Sequence, residues 1–83
     1  MLCIDVTQHH IDQGRSGEYD ACPVARALWD LGYREVRVEE DFISITSGRR
    51  HLKYKTPRSM RLFIDDFDNF RPVKPTVFTV PLF

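Results

Sequence analysis

Leu2, Ile4 and Val6 alternate with Cys3 and Asp5 at the start of the chain. A period of two puts the three apolar side chains on one face, the pattern of a half-buried strand. Thr7 then stands where an N-cap belongs for a short helix over 8–13, and Gly14 suits a left-handed stop. Arg15 to Ala21 is polar, carries Gly17 and reads as a loop. Pro23 has no N–H to lose at a first helical position, so it opens a second helix with Cys22 at the N-cap. Val24, Ala27, Leu28 and Leu31 recur at helical spacing, and Gly32 closes that helix. The period returns to two over 35–39, with Val36 and Val38 inward. Phe42 to Thr46 forms the next strand, Ser47-Gly48-Arg49 turns, and Arg50 to Lys55 runs back, so the three strands predict an antiparallel meander. Thr56-Pro57 repeats the cap-then-proline signal before a third helix. Its Met60, Phe63, Ile64 and Phe67 fall at i, i+3, i+4 and i+7, and Asn69 or Phe70 ends it. A last strand, 76–80, is bracketed by Pro75 and Pro81, which places it at a sheet edge. The order βααβββαβ predicts an α+β fold, with helices packed on a mostly antiparallel sheet.

Composition narrows this to a single small folded domain spanning 1–83. Six Phe, three Tyr and one Trp supply core material that disordered chains lack. No apolar run approaches the ~20 residues that cross a bilayer, which predicts no membrane contact. The opening Met1-Leu2-Cys3-Ile4-Asp5 has neither a basic segment nor a long apolar one. The expectation is therefore a protein that stays in the cytosol where it is made. Cys3 and Cys22 do not make a disulfide framework, and the cysteines and three histidines miss the usual zinc spacings. No metal and no cofactor is expected.

Charge changes the picture more. The net charge is zero, yet six of the twelve Lys and Arg residues fall between Arg49 and Arg61 with no acidic residue among them. They are Arg49, Arg50, Lys53, Lys55, Arg58 and Arg61. Acidic residues border the stretch: Glu39, Glu40 and Asp41 before it, Asp65, Asp66 and Asp68 after it. On the strand 50–55, Arg50, Leu52 and Tyr54 share one face, and His51, Lys53 and Lys55 the other. Tyr54 reads as core with Leu52 rather than as a base-stacking platform. Arg58 and Arg61 lie one helical turn apart and extend the row. Such a surface can neutralise phosphates or meet an acidic protein, and the acidic borders can meet a basic partner. Its plainer reading is a solvated face that keeps a sheet edge from aggregating.

Three other groupings carry weaker chemistry. A thiol at a helix start, as at Cys22, can have a lowered pKa, and His9 and His10 lie on the preceding helix. No oxyanion loop and no group to orient a base accompanies them, so no catalytic residue is assigned and no enzyme is predicted. Adjacent helical histidines diverge by about 100° and make poor co-ligands. The carboxylates on the third helix diverge likewise and read as a solvated face. The apolar tail Val80-Pro81-Leu82-Phe83 calls for cover, from its own core or from a dimer interface.

Read whole, the chain resembles a group of small proteins encoded by phages, prophages and their bacterial hosts. The resemblance rests on Val6-Thr7, on His10-Ile11-Asp12 with Gly14, and on Cys22-Pro23-Val24-Ala25 with Ala27-Leu28. It continues through Phe63-Ile64-Asp65, Phe67-Asp68, Pro72-Val73, Pro75 and Phe78. It implies no catalytic residues. Small phage-borne proteins of this size include the anti-CRISPR proteins. That kinship of type, rather than of motif, implies a non-enzymatic inhibitor that binds subunits of a host CRISPR-Cas-like effector complex. The contact would use Arg49, Arg50, Lys53, Lys55, Arg58 and Arg61, with Glu39, Glu40 and Asp41 at the border. The alternative is a small nucleic-acid-binding accessory or regulatory protein that uses the same basic hairpin. A homodimer through a sheet edge or the Phe83 tail is compatible with either.

Overall fold

The structure, a computed structural model, describes residues 2–81. Its elements are β1 (Leu2–Val6), α1 (Gln8–Gln13), α2 (Pro23–Asp30), β2 (Arg34–Val38), β3 (Phe42–Ser47), β4 (Arg50–Lys55), α3 (Arg58–Asp68) and β5 (Thr76–Val80). The fold is α+β and every strand pairing is antiparallel. The strands divide into two sheets: β1 pairs with β5, and β2-β3-β4 form the meander. Leu82 and Phe83 of the apolar tail lie outside the described residues.

Period-two patterning produces both sheets. Leu2 faces Val80 and Ile4 faces Phe78, so one side of β1–β5 is apolar and buried. In the meander, Val38 faces Ile43 and Ile43 faces Tyr54, again on the buried side. A bulge lets β2 keep this face. Glu35 and Val36 together oppose Ile45, and Glu35 takes a positive φ of 50°. Val36 and Val38 are thereby both turned inward while Arg34 and Arg37 stay exposed. Ser47 pairs with Arg50 across a two-residue turn whose first position, Gly48, has φ +62°, a conformation that glycine adopts without strain.

Helix α2 packs on both β1 and β2 and so joins the sheets. A helix covered on two sides buries more than one stripe: Pro23, Val24, Ala25, Ala27 and Leu28 are all buried. Leu31, assigned to the stripe by spacing, is 54% exposed instead. It is the C-cap, past the last helical turn. The helix ends in a Schellman motif, in which Tyr33 N–H donates to the Leu28 carbonyl and Gly32 N–H to that of Trp29. Gly32 occupies the left-handed position at φ +94°.

Two expected caps differ. Gly14 is extended (φ −70°, ψ 154°), not left-handed. It is glycine because a Cβ there would lie 2.7 Å from Pro23 Cδ. At α3 the N-cap is Pro57, one residue later than the Thr56-Pro57 signal places it. The Thr56 hydroxyl is buried and donates to the Glu39 carbonyl at 3.0 Å, tying α3 to the end of β2. Helix α3 then buries Met60 and Phe63, with the Phe63 ring edge-on to Phe78 at 5.4 Å. It too ends in a Schellman motif, Arg71 N–H to the Asp66 carbonyl and Phe70 N–H to that of Phe67. Here Phe70, at φ +60°, stands where α2 uses Gly32.

Candidate partner-binding surface

All six basic residues of the 49–61 stretch are exposed. Their strand and helix origins separate them into three positions. Arg49 and Arg50 sit at the β3–β4 turn. Lys53 and Lys55 project from the outer face of β4, where the Lys53 ammonium lies 4.3 Å above the Phe42 ring. Arg58 and Arg61 stand on the first two turns of α3. At about 3.4 Å per strand residue, the turn and the start of α3 are roughly 17 Å or more apart. The six therefore form an elongated ridge, in which Arg50, by the alternation of β4, turns to the side opposite Lys53 and Lys55. Leu52 and Tyr54 turn to the other side, and Tyr54 is buried.

Ion pairs form outside the ridge. Arg37 pairs with Glu39 at 3.4 Å, and Arg71 with Asp66 at 2.7 Å and Asp65 at 2.8 Å. Among the described residues, no ridge residue has a carboxylate within salt-bridge distance.

Arg58 and Arg61 also line a cleft of about 540 Å³ between α3, the end of β2 and the 15–22 loop. The loop is fixed there by Tyr19, whose carbonyl accepts the Val38 N–H at 2.8 Å and whose ring lies under the Arg37 guanidinium at 4.4 Å. The cleft contains Glu39 and Glu40 from the predicted border, together with Glu18, Asp65 and Asp68. Five carboxylates thus face two arginines. The row of positive charge expected to continue onto α3 ends in a mixed, predominantly acidic concavity. Asp41 is exposed beside it, its carbonyl accepting the Thr56 N–H at 2.9 Å. Leu62, 55% exposed, and Tyr19, 48% exposed, give the cleft an apolar rim. Neither has a sequence signature, because exposure of a lone apolar residue on a polar helix face or loop follows from packing.

The other candidate groupings resolve into structure. Cys22 is buried, and burial pushes its thiol pKa up rather than down, against the expectation from its helix-start position. Both ring nitrogens of His10 are engaged elsewhere. Thr7 N–H donates to His10 Nδ1 at 3.0 Å, leaving the ring proton on Nε2, which bonds Asp30 Oδ2 at 2.6 Å. His10 thereby completes a capping box for α1 and ties it to the end of α2, while His9 is exposed. The α3 carboxylates are not merely solvated. Asp65 and Asp66 hold Arg71, and Asp68 accepts the Gly17 N–H at 3.0 Å. Among the described residues no group of three or more His, Cys, Asp or Glu is placed to hold a metal ion, and no helix is long and apolar enough to cross a membrane. Comparison with protein-family models, curated proteins and solved structures finds no match to this chain.

Proposed function

We propose that the chain acts by binding: a non-enzymatic, phage-type inhibitor that attaches to a host defence complex of the CRISPR-Cas kind, in the host cytosol, through its basic ridge and the adjoining cleft. The observation that carries this reading is the exposed ridge, which has no ion pairs among the described residues, on a molecule whose net charge is zero. A local field of that kind speeds and orients encounter with an acidic surface. Tyr19 and Leu62 at the cleft rim provide the apolar contact that charge alone does not.

The test is capture from lysate of a host carrying the defence system, with the wild-type chain and a variant carrying Arg49→Ala, Arg50→Ala, Lys53→Ala and Lys55→Ala. Recovery of effector subunits by the wild type and their loss from the variant supports the reading. Retention by the variant removes the ridge from the contact. A second reading, nucleic-acid binding by the same ridge, draws on the Lys53 and Lys55 row on the outer face of β4. Duplex or single-strand binding that weakens steeply with salt selects it.

A further inference from the structure

We infer that the outer face of the meander is a binding surface for a single nucleic-acid strand, held by its phosphodiester backbone across β2, β3 and β4. The site rests on the nucleic-acid reading and moves it from the turn at Arg49 and Arg50 onto the sheet. The inner side of the meander is committed to the core, through Val36, Val38, Ile43, Ile45 and Tyr54. The outer side is left with a repeated chemistry. Strand register aligns Arg37, Ser44 and Lys53 in one row and Arg34, Thr46 and His51 in the next. Each row sets a hydroxyl on the central strand between nitrogen-bearing side chains on its two neighbours. Lys55 continues the β4 side opposite Phe42.

Aromatic faces hold the first row in place. The Arg37 guanidinium lies 4.4 Å from the centre of the Tyr19 ring, and the Lys53 ammonium 4.3 Å from that of Phe42. Long cationic side chains fixed in this way lose less freedom when an anion arrives. In the second row the buried Thr46 hydroxyl lies 2.9 Å from His51 Nδ1. With the hydroxyl donating there, the ring proton sits on Nε2 and serves a phosphate oxygen. The two rows line a trough of about 320 Å³, to which Arg37, Ser44, Thr46, His51 and Lys53 all contribute. Its lining holds one carboxylate, Glu35. Arg37 also reaches Glu39, at 3.4 Å the longest ion pair among the described residues. Charge complementarity therefore selects an anion, and the dimensions select a single strand. The two outer β-strands stand about 10 Å apart, and successive rows about 7 Å apart along β4. The second distance suits successive phosphates of an extended strand, whereas a duplex groove takes a helix or a two-stranded ribbon. Cations and hydroxyls contact the backbone, so preference among bases is slight.

Fluorescence anisotropy with the whole chain and a labelled single-stranded oligonucleotide of about 12 nucleotides tests this, a length within the usual site sizes. At about 50 mM salt the expected dissociation constant is about 1–100 μM. Log affinity should fall with log salt at a slope of roughly −2 to −3, for three or four phosphates neutralised. Arg37→Ala with Lys53→Ala is expected to weaken binding by about tenfold or more. Arg49→Ala with Arg50→Ala removes the same charge away from the face and is expected to weaken it by less than about threefold. Ser44→Glu sets a carboxylate between the two cations and is expected to abolish binding, with a melting temperature near that of the wild type. An equal or greater loss in the Arg49 and Arg50 variant overturns the site and leaves the nucleic-acid reading standing. Binding by Ser44→Glu at wild-type strength, or a duplex held more tightly than the single strand, overturns it likewise. A wild type that binds neither form at about 100 μM overturns the site and the nucleic-acid reading together.

Discussion

Replacing Gly14 by alanine tests how the first helix hands the chain to the second. The backbone at Gly14 suits alanine (φ −70°, ψ 154°), so propensity alone makes the change neutral or mildly stabilising. Space decides otherwise. The new Cβ would lie 2.7, 2.8 and 2.9 Å from Pro23 Cδ, Cγ and N, where contact normally begins at 3.4 Å. Neither side can yield cheaply. Pro23 is buried at the start of α2, which packs on two strands, and Arg15 N–H holds the following residue to the Ala21 carbonyl at 2.8 Å. Overpacking of this kind costs about 1–3 kcal/mol. For a domain of this size that is a fall in melting temperature of about 4–8 °C for each kcal/mol. Thermal and urea unfolding, followed by far-UV circular dichroism, read it directly. Pro23→Ala removes Cγ and Cδ, two of the three close atoms, so the double variant should be less damaged than the sum of the single ones. A Gly14→Ala protein that melts with or above the wild type, or a double variant that is strictly additive, refutes the steric account.

Thr7→Ala removes the hydroxyl that caps α1 and should cost about 1 kcal/mol. His10→Ala removes both the cap partner and the tie to Asp30, and should cost more, about 1–3 kcal/mol. Equal melting temperatures for the two variants would remove the Asp30 tie from the account. Cys3 is exposed and Cys22 buried, so iodoacetamide should modify Cys22 on the order of 10³-fold more slowly, by way of rare opening; equal rates would contradict its burial. Folding holds the Cys22 thiol protonated above its ordinary value of 9.0, and the unfolded state therefore binds fewer protons above that pH. Stability should accordingly decline as pH rises through 9.0, and Cys22→Ala should flatten that decline in a urea titration series.

Period and punctuation made most of the fold legible. Strands 2–6 and 50–55, helix 8–13 and the opening of α2 at Pro23 stand where alternation, capping and proline put them. What sequence could not supply was distance. Gly14 carries the same letter whether it turns left-handed or sits flush against Pro23, and only the packed chain distinguishes the two. Thr56 has the chemistry of a cap, but a buried carbonyl at Glu39 outcompetes the helix for its hydroxyl. The separation of β1–β5 from the meander depends on α2 lying between them, which no local pattern encodes. The exposure of the basic stretch was legible from its alternation along β4. The carboxylates opposite Arg58 and Arg61 were legible only in part: Asp65 and Asp68 share a face of α3 with Arg61, whereas Glu18 reaches the cleft from the 15–22 loop. Phe70 was visible as a helix end but not as a strained, protruding ring.

The pairing of β1 with β5 also sets the order in which the molecule can assemble. Its closest contact, Val6 with Thr76, closes a loop of about 70 residues, whereas the β3–β4 turn joins neighbours three apart. Loop-closure entropy makes the long closure dearer by roughly 3 kcal/mol. The meander is therefore the natural nucleus, and the β1–β5 ribbon a late event. Until the ribbon closes, Leu2, Ile4 and Val6 have no strand partner and Phe63 has no Phe78 to meet. A chain emerging from the ribosome carries β1 without its strand partner until β5 has followed it, about 70 residues later.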